Sequence, residues 1–469
     1  MDKRNRRIIF ISFCILFVIA GSFITLYASG YTFSLSRFSI EKTGALYLKF
    51  SPDGWTGSMN GKPIRDASRL LGADGLFIKN LSSETYSVSI EKAGFLPWHK
   101  ELSVEPGLVT KADQLILIPD PIVPASVYFS DSVARFWFLE SGGAVIQNKE
   151  KALRYVYNEH SVELKGNAFI GASKNGSRFI TTDISKKRTT YYLYDTGNIQ
   201  SATNISLIFE NLAARTLDGG RVQATSSRIL EPSQIRSILP HPFDQEKWII
   251  ADPTRIAMLD MLKLEIVGIV QSTSTSALAT DSGSLYYANA GGIYRFDFIL
   301  KTTRKISDGF ASEPITALEP LKNKMLVMRG ADGTLTLLDE SGSLQRLAHA
   351  ASLLAVSDDS RKIAFVDSDG TLNVYYREDS NGFFRGLAGD TLQLKIPKKS
   401  TITDIAWYAN ENYLIVYNPN GARLIELDEQ DKFISYDLPS FDGTLIYLRE
   451  QNKFFGLRDG AIFEYGLEG

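Results

Sequence analysis

A strand, a tight turn built on glycine and a second alternating strand recur through the C-terminal part of this 469-residue chain. The unit is plain in KMLVMRGADGTLTLLDE (Lys324–Glu340), KIAFVDSDGTLNVYYRE (Lys362–Glu378) and NYLIVYNPNGARLIELDE (Asn412–Glu429). Looser copies are SLYYANAGGIYRFDF (Ser284–Phe298) and KFFGLRDGAIFEYGL (Lys453–Leu467). SRFITTDISKKRTTYYLYD (Ser177–Asp195) and KWIIADPTRIAMLDM (Lys247–Met261) share the strand-turn-strand shape. The turn pairs fall at Gly291-Gly292, Asp332-Gly333, Asp369-Gly370, Asn420-Gly421 and Asp459-Gly460, in steps of 41, 37, 51 and 39 residues. A period near 40 with short strands in each unit suits propeller blades, whose sheets bury both faces against their neighbours and need one another to be stable. The spacing predicts seven or eight units between Val127 and Gly469. One or two β-sandwiches are the rival, disfavoured by the regular spacing of similar hairpins. The longest step contains Asp379-Ser380-Asn381-Gly382, which reads as a protruding loop.

The opposite end of the chain reads as an address. Ile8 to Ala28 is an uncharged run of 21 residues, about 31 Å long as a helix, which matches one bilayer core. Lys3, Arg4, Arg6 and Arg7 precede it and the next charge is Arg37, so the positive-inside rule places residues 1–7 as a cytoplasmic basic tail. Residues 8–28 are then a transmembrane signal anchor, with the rest of the chain extracytoplasmic and Tyr27 and Tyr31 at the interface. A cleaved signal peptide is the alternative, because Ala28-Ser29-Gly30 is a run of small residues. Cys14 is the single cysteine and lies inside the run, so the exported part has neither a disulfide nor a thiolate metal site. Cys14 reads as a small apolar residue facing lipid; a lipoprotein or palmitoylation is disfavoured by its depth.

Residues 29–42 read as a tether and 43–119 as a small β domain. Leu46, Leu48 and Phe50 alternate; Pro52-Asp53-Gly54 turns; Asn60-Gly61 is a two-residue hairpin signal, since a type I′ turn takes positive φ at both central positions. Tyr86, Val88 and Ile90 alternate again, Glu101 to Val104 follows, and Leu115 to Ile118 is the last strand of what reads as a meander. These residues resemble the PEGA domain. Pro52-Asp53-Gly54-Trp55 stands at that family's name-giving motif, Asn60-Gly61 at its hairpin, and Gly94-Phe95 at its Gly-Tyr. Trp55, Ser83-Glu84 and the apparent insertion Asp66 to Asp74 depart from the family pattern. The resemblance implies a small β-sandwich that binds or scaffolds at an envelope surface. Trp55 and Trp98 read as cover for its core, with an aromatic sugar-binding face as the rival.

Three prolines between Pro119 and Pro124 mark residues 120–124 as a stiff linker. Residues 125–469 are then the propeller. It lacks WD dipeptides and resembles the divergent propellers related to the TolB family, with Lys174-Asn175-Gly176-Ser177 and Ser357-Asp358-Asp359-Ser360 at their turns. The expected fold class is therefore an all-β ectodomain, a PEGA-like β-sandwich plus a seven- or eight-bladed propeller, behind one N-terminal transmembrane helix.

Little in the chain points to catalysis. His99, His160, His241 and His349 have no metal-ligand spacing among them, and there is no HExxH, CxxC, nucleophile elbow or Walker A loop. Gly142-Gly143 and Gly219-Gly220 read as turns. Asp367 and Asp369, with Asp358 and Asp359 nearby, are the one carboxylate group to weigh; a calcium site or a glycosidase pair is the sharp reading, and structural Asx turns the ordinary one. The net charge is −2, and the first seven residues carry +3, which leaves −5 on the remainder, a poor match for nucleic acid. The sequence thus predicts no catalytic residue, no metal, no cofactor and no identified binding residue. It predicts a single-pass membrane protein of the cell envelope that binds or scaffolds, with an envelope protein or polysaccharide as partner. A surface hydrolase with a site in the propeller channel and a sensor working through a partner membrane protein are the alternatives.

Overall fold

A computed structural model of the chain describes residues 3–34, 39–64, 68–69, 75–128, 133–158, 160–184, 189–211, 235–271, 275–308, 314–379, 386–394, 401–409, 411–419, 421–427, 431, 433–442 and 444–467. The protein is mostly β, with one long helix, Lys3–Ala28. Ile9–Ala28 of that helix is long and apolar enough to cross a membrane, and none of it is buried against the rest of the chain. The helix end touches the small domain, where Asn80 Nδ2 donates to the Tyr27 hydroxyl at 2.9 Å. The tether expected after it contains a hairpin, Tyr31–Ser34 paired with Ser39–Lys42.

The small domain is two four-stranded sheets. One joins Val109–Ile116, Gly44–Ser51, Leu76–Leu81 and Ser68–Arg69; the other joins Lys62–Pro63, Thr56–Met59, Thr85–Glu91 and Trp98–Ser103. The last strand runs Val109–Ile116, earlier than Leu115–Ile118, and lies parallel to Gly44–Ser51. The order is therefore not a meander. Alternation locates strands but is silent on pairing, and a parallel partner is reached only through a crossover. The Asn60-Gly61 turn has the expected backbone, with φ of +48° and +72°. Asp66, Ala67 and Leu70 to Asp74 of the apparent insertion lie outside the described residues.

Eight four-stranded antiparallel sheets follow among the described residues. In sequence order they are Val133–Leu164, Ala168–Asn204, Ser237–Gln271, Ala277–Ser307, Ile315–Ala348, Ala351–Leu394 and Asp404–Asp437, then Leu445–Tyr465 with Ala125–Tyr128 as its outer strand. First strands lie beside first strands, as Ala277–Thr280 does beside Ile315–Pro320 and Ala351–Val356 beside Asp404–Trp407, so the first strands line the inside. Apolar clusters fill every seam between successive sheets. Trp248 and Ile180 meet between the second and third, Phe296 and Ile249 between the third and fourth, and Phe136 and Leu457 between the first and eighth. The ring is closed twice, by that last seam and by Ala125–Tyr128 pairing with Ala461–Tyr465. This is a β-propeller.

The burial pattern explains the sequence pattern. Second strands such as Lys362–Asp367 and Tyr413–Asn418 are covered on both faces and read as continuous apolar runs. Fourth strands are peripheral, and Thr391–Leu394 alternates while Thr302–Ser307 is mostly exposed. Gly333, Gly370 and Gly460 stand between second and third strands, and Gly292 and Gly421 open third strands, across five consecutive sheets. The period near 40 is thus the sheet repeat itself. Asn420 and the Ser380–Gly382 part of the expected loop lie outside the described residues.

Candidate functional site

Strand alternation puts Trp98, Lys100 and Leu102 on one face, and all three are buried. The small domain meets the propeller there. Lys100 Nζ lies 2.9 Å from Glu426 Oε1, with both side chains fully shielded from water. Trp98 Nε1 donates to Glu426 Oε2 at 3.1 Å. Nearby, the Ile116 amide donates to the Tyr413 hydroxyl at 3.1 Å, and Asn412 Nδ2 donates to Gln114 Oε1 at 3.1 Å. One apolar cluster runs from Leu46, Phe50 and Trp98 into Tyr408, Leu424 and Phe454 of the propeller. The residues 120–124 therefore join two units that share a core.

Around this joint, turns between first and second strands of the sixth, seventh and eighth sheets are cross-linked by charge. Arg449 lies 3.0 Å from Glu411 and 3.0 Å from Asp358. Lys362 Nζ donates to the Glu411 carbonyl at 2.6 Å, and the Asp359 amide donates to Glu411 Oε1 at 3.2 Å. Burial, then the neighbouring Asp359 carboxylate, raises the Glu411 carboxyl above its ordinary value. Burial alone would raise Asp359 too, but hydrogen bonds from Ser357, the Arg361 amide and Glu411 hold it low. Burial lowers Lys362, against the pull of Glu411 and Asp359. These groups satisfy one another and stitch turns together.

The carboxylates singled out from sequence do not form one site. Asp358 and Asp359 lie before the strand Lys362–Asp367, while Asp367 and Asp369 lie at its other end, roughly 20 Å away at ~3.3 Å per residue. Asp367 Oδ1 accepts the Thr371 amide at 2.9 Å and Asp369 Oδ1 accepts the same amide at 2.9 Å, as turn carboxylates do. Burial, then a hydrogen bond with Asp369, raises Asp367. Among the described residues no group of three or more His, Cys, Asp or Glu side chains is placed to hold a metal ion.

The histidines are scattered. His99 is half exposed, 3.8 Å from Glu101. His160 pairs across strands with Tyr157, and His349 Nδ1 lies 3.4 Å from Arg346. His241 is buried, packed edge-on against Phe243 and tilted against Phe298. Its Nδ1 accepts the Asp244 amide at 3.2 Å. Burial, opposed by Asp244 and reinforced by Lys247, lowers it to about 4, so it is neutral at physiological pH. It borders a groove of about 630 Å³ between the third and fourth sheets, walled by Met258, Val270, Phe296 and Phe298.

Trp98 is 1% exposed and packs edge-on against Phe50 at 5.0 Å, so it belongs to the core and the joint. Trp55 packs edge-on against the same ring at 5.5 Å and is half-buried. The two tryptophans do not present a shared sugar-binding face. Gly142 and Gly143 stand in the turn before Ala144–Asn148, while Gly219 and Gly220 lie outside the described residues. Cys14 is exposed on the N-terminal helix. Sequence reasoning missed the Lys100–Glu426 pair, although its signal was present: a lysine in phase with Trp98 and Leu102 sits where an apolar residue belongs.

No family model matches the chain, and no curated protein matches it. Solved structures with a similar chain path include Hsv2 of Kluyveromyces lactis, at 14% identity over 66% of this chain and 98% of that one, with a TM-score of 0.44. BamB from Moraxella catarrhalis gives 15%, 73%, 100% and 0.45 for the same four quantities. The computationally designed protein Ika8 gives 16%, 73%, 98% and 0.47. Likenesses at these values carry no argument, and the class stands on the ring's own seams: a β-propeller joined to a small β domain behind an apolar N-terminal helix.

Proposed function

We propose that this chain is a membrane-anchored, extracytoplasmic scaffold of the cell envelope, whose propeller binds an envelope protein or polysaccharide. Each of the eight sheets is one blade, and the small domain is a PEGA-like module. The observation that carries this reading is the joint. A domain separated from an apolar helix by one short hairpin is fixed to the propeller by a shared core and a fully buried ion pair. That arrangement suits holding a broad loop surface at a set distance and angle from a membrane, and asks for no catalytic group. We also infer that the chain is not an enzyme, because its polar clusters satisfy one another in turns.

The test uses the whole chain, since cutting at Pro124 would uncover Trp98, Lys100 and Glu426. Protease added to intact cells is expected to degrade the bulk of the chain and spare the helix; protection of the bulk would overturn the topology. Crosslinking in the same cells is expected to capture an envelope component through the propeller. Recovery of the chain alone, under conditions that capture a known envelope complex, would count against scaffolding.

A further inference from the structure

Four consecutive sheets close the turn after their third strand with the same device, and two of the four carry apolar residues where the others are polar. Asp195 Oδ1 accepts the Gly197 amide at 2.9 Å, Asp260 Oδ1 the Leu262 amide at 3.0 Å, Asp297 Oδ1 the Ile299 amide at 2.9 Å, and Asp339 Oδ1 the Ser341 amide at 2.9 Å. The aspartate fixes the turn in each case, so the residues that follow it are free to vary. They are Thr-Gly-Asn in the second sheet and Glu-Ser-Gly in the fifth. In the third they are Met-Leu-Lys-Leu and in the fourth Phe-Ile-Leu-Lys. Folding therefore does not require apolar tips here.

The tips are well exposed: Leu262 is 68% accessible, Ile299 78% and Leu300 70%. Leu264 and Phe243 extend the same rim at 36% and 54%. Two adjacent tips with the groove beside His241 between them make a continuous apolar surface, unlike scattered exposed apolar residues. Lys263, 64% exposed, and Lys301 stand on the two tips. On the other side of the fourth sheet's turn, Arg295 and Arg304 face each other across strands and border a pocket of about 280 Å³ with Lys324. Like charges directly opposite cost stability, and none of these three has a carboxylate within ion-pair distance among the described residues. Asp260 Oδ1 and Asp297 Oδ1 are committed to turn amides, Asp260 Oδ2 lies 4.0 Å from Lys263 Nζ, and Asp339 and Glu340 line the same pocket.

The rim also lies on the side from which the helix comes. Antiparallel alternation puts the first-to-second and third-to-fourth turns of every sheet on one face of the ring. In the seventh sheet Asn412, in the first of those turns, and Glu426, at the strand end leading into the second, hold the small domain. Leu262 and Ile299 belong to such turns in the third and fourth. The small domain thus stands on the face that carries the apolar tips, three to four sheets away around a ring of eight.

We propose that this rim rests on a lipid bilayer containing anionic lipids, with Leu262, Ile299 and Leu300 entering the headgroup boundary and Lys263, Lys301, Arg295 and Arg304 meeting the phosphates. The chemistry is that of interfacial binding, apolar area supplemented by cations. It rests on the anchored reading above, and leans the rigid ectodomain so that the rim opposite the small domain reaches the membrane.

The test uses the full chain carrying Cys14→Ser, reconstituted in vesicles of phosphatidylcholine with or without phosphatidylserine. An environment-sensitive fluorophore is placed at Ile299→Cys or, on the opposite face, at Glu150→Cys. With phosphatidylserine, the probe at 299 is expected to shift to the blue, to be quenched by nitroxide-labelled lipid and to resist aqueous iodide, while the probe at 150 stays open to iodide. Lys263→Gln with Lys301→Gln is expected to reduce the docked fraction's ratio to the undocked by about thirtyfold, at roughly fivefold per lysine charge removed. Iodide access at 299 equal to that at 150 in both vesicles would overturn the proposal and leave the rim as a protein-binding surface. Loss of the chain from the vesicles on alkaline carbonate washing would instead refute the anchor, which the probe readings do not measure.

Discussion

Replacing Lys100 by methionine should be among the most damaging single changes outside the apolar core. Lys100 Nζ and Glu426 Oε1 are 2.9 Å apart with neither side chain exposed, so removing the ammonium leaves a carboxylate in a place water does not reach. Breaking a buried pair from one side costs about 3–5 kcal/mol, whereas replacing both members is often nearly neutral. Glu426→Gln breaks it from the other side, and its carbonyl can still accept the Trp98 indole N–H now held by Oε2 at 3.1 Å. Each single variant is therefore expected to lose about 3–5 kcal/mol. The double variant carries no charge at the joint and retains only the penalty of an amide short of a partner, about 1–3 kcal/mol. It should thus be more stable than either single variant, with a coupling of at least ~3 kcal/mol between the two sites. The assay is urea unfolding of the chain without Met1–Ala28, followed by tryptophan fluorescence, since Trp98 reports on the joint directly. In the single variants the unfolding is expected to split into two transitions as the small domain releases first. Single-variant losses below about 1 kcal/mol that add within ~0.5 kcal/mol would show instead a pair that water already screens.

The buried imidazole gives a pH dependence. His241 sits at about 4 in the folded protein, against an ordinary value near 6.5, because burial disfavours its cation. Its contribution is complete above pH ~6.5 and is lost as pH falls toward ~4, where the unfolded chain takes up a proton that the folded one refuses; the total is roughly 3 kcal/mol. His241→Leu should make the urea midpoint shallower in pH across that window by one proton, and an unchanged slope would place the imidazole in water. Two glycines separate backbone strain from crowding. Gly176 has φ of +67° and a Cβ there would lie 2.6 Å from the Glu140 and Ser141 amide nitrogens, whereas Gly370 has φ of +84° and open space around it. Gly370→Ala should cost about 1–2 kcal/mol from the left-handed backbone alone, and Gly176→Ala clearly more; equal losses would show that the turn at Gly176 yields.

Much of the propeller was legible because its signals are local. A second strand covered on both faces must be apolar throughout, and the turn after it needs a residue tolerant of positive φ, so Asp332-Gly333, Asp369-Gly370 and Asp459-Gly460 mark the repeat directly. What was not legible depends on contacts distant in sequence. Ala125–Tyr128 reads as the start of the first unit, yet it completes the last sheet beside Ala461–Tyr465, more than 300 residues later. The parallel pairing of Val109–Ile116 with Gly44–Ser51 is hidden for the same reason. The joint is intermediate. Lys100 and Glu426 each break an apolar phase in their own strand, which flags both, but nothing in either segment says that one anomaly answers the other.

The two departures from the repeat, at the joint and at the apolar tips, constrain each other. A ring held on one side is loaded off-centre, and the small domain bonds to the seventh sheet at Asn412, Tyr413 and Glu426 while the tips stand on the third and fourth. Were the joint hinged, the far rim would sample all heights above a membrane, and apolar tips would be exposed to water most of the time with no return. A joint made of a shared core and a buried pair removes that freedom, so the height and tilt of the far rim become properties of the fold. On the membrane-anchored reading proposed above, the face away from the small domain, where the glycine turns of five consecutive sheets gather, would then point outward. Loosening the joint with Lys100→Met should therefore weaken contact of Ile299 with lipid even though the substitution is remote from it, and an unchanged probe signal at 299 would show that the tips find the membrane without the joint's guidance.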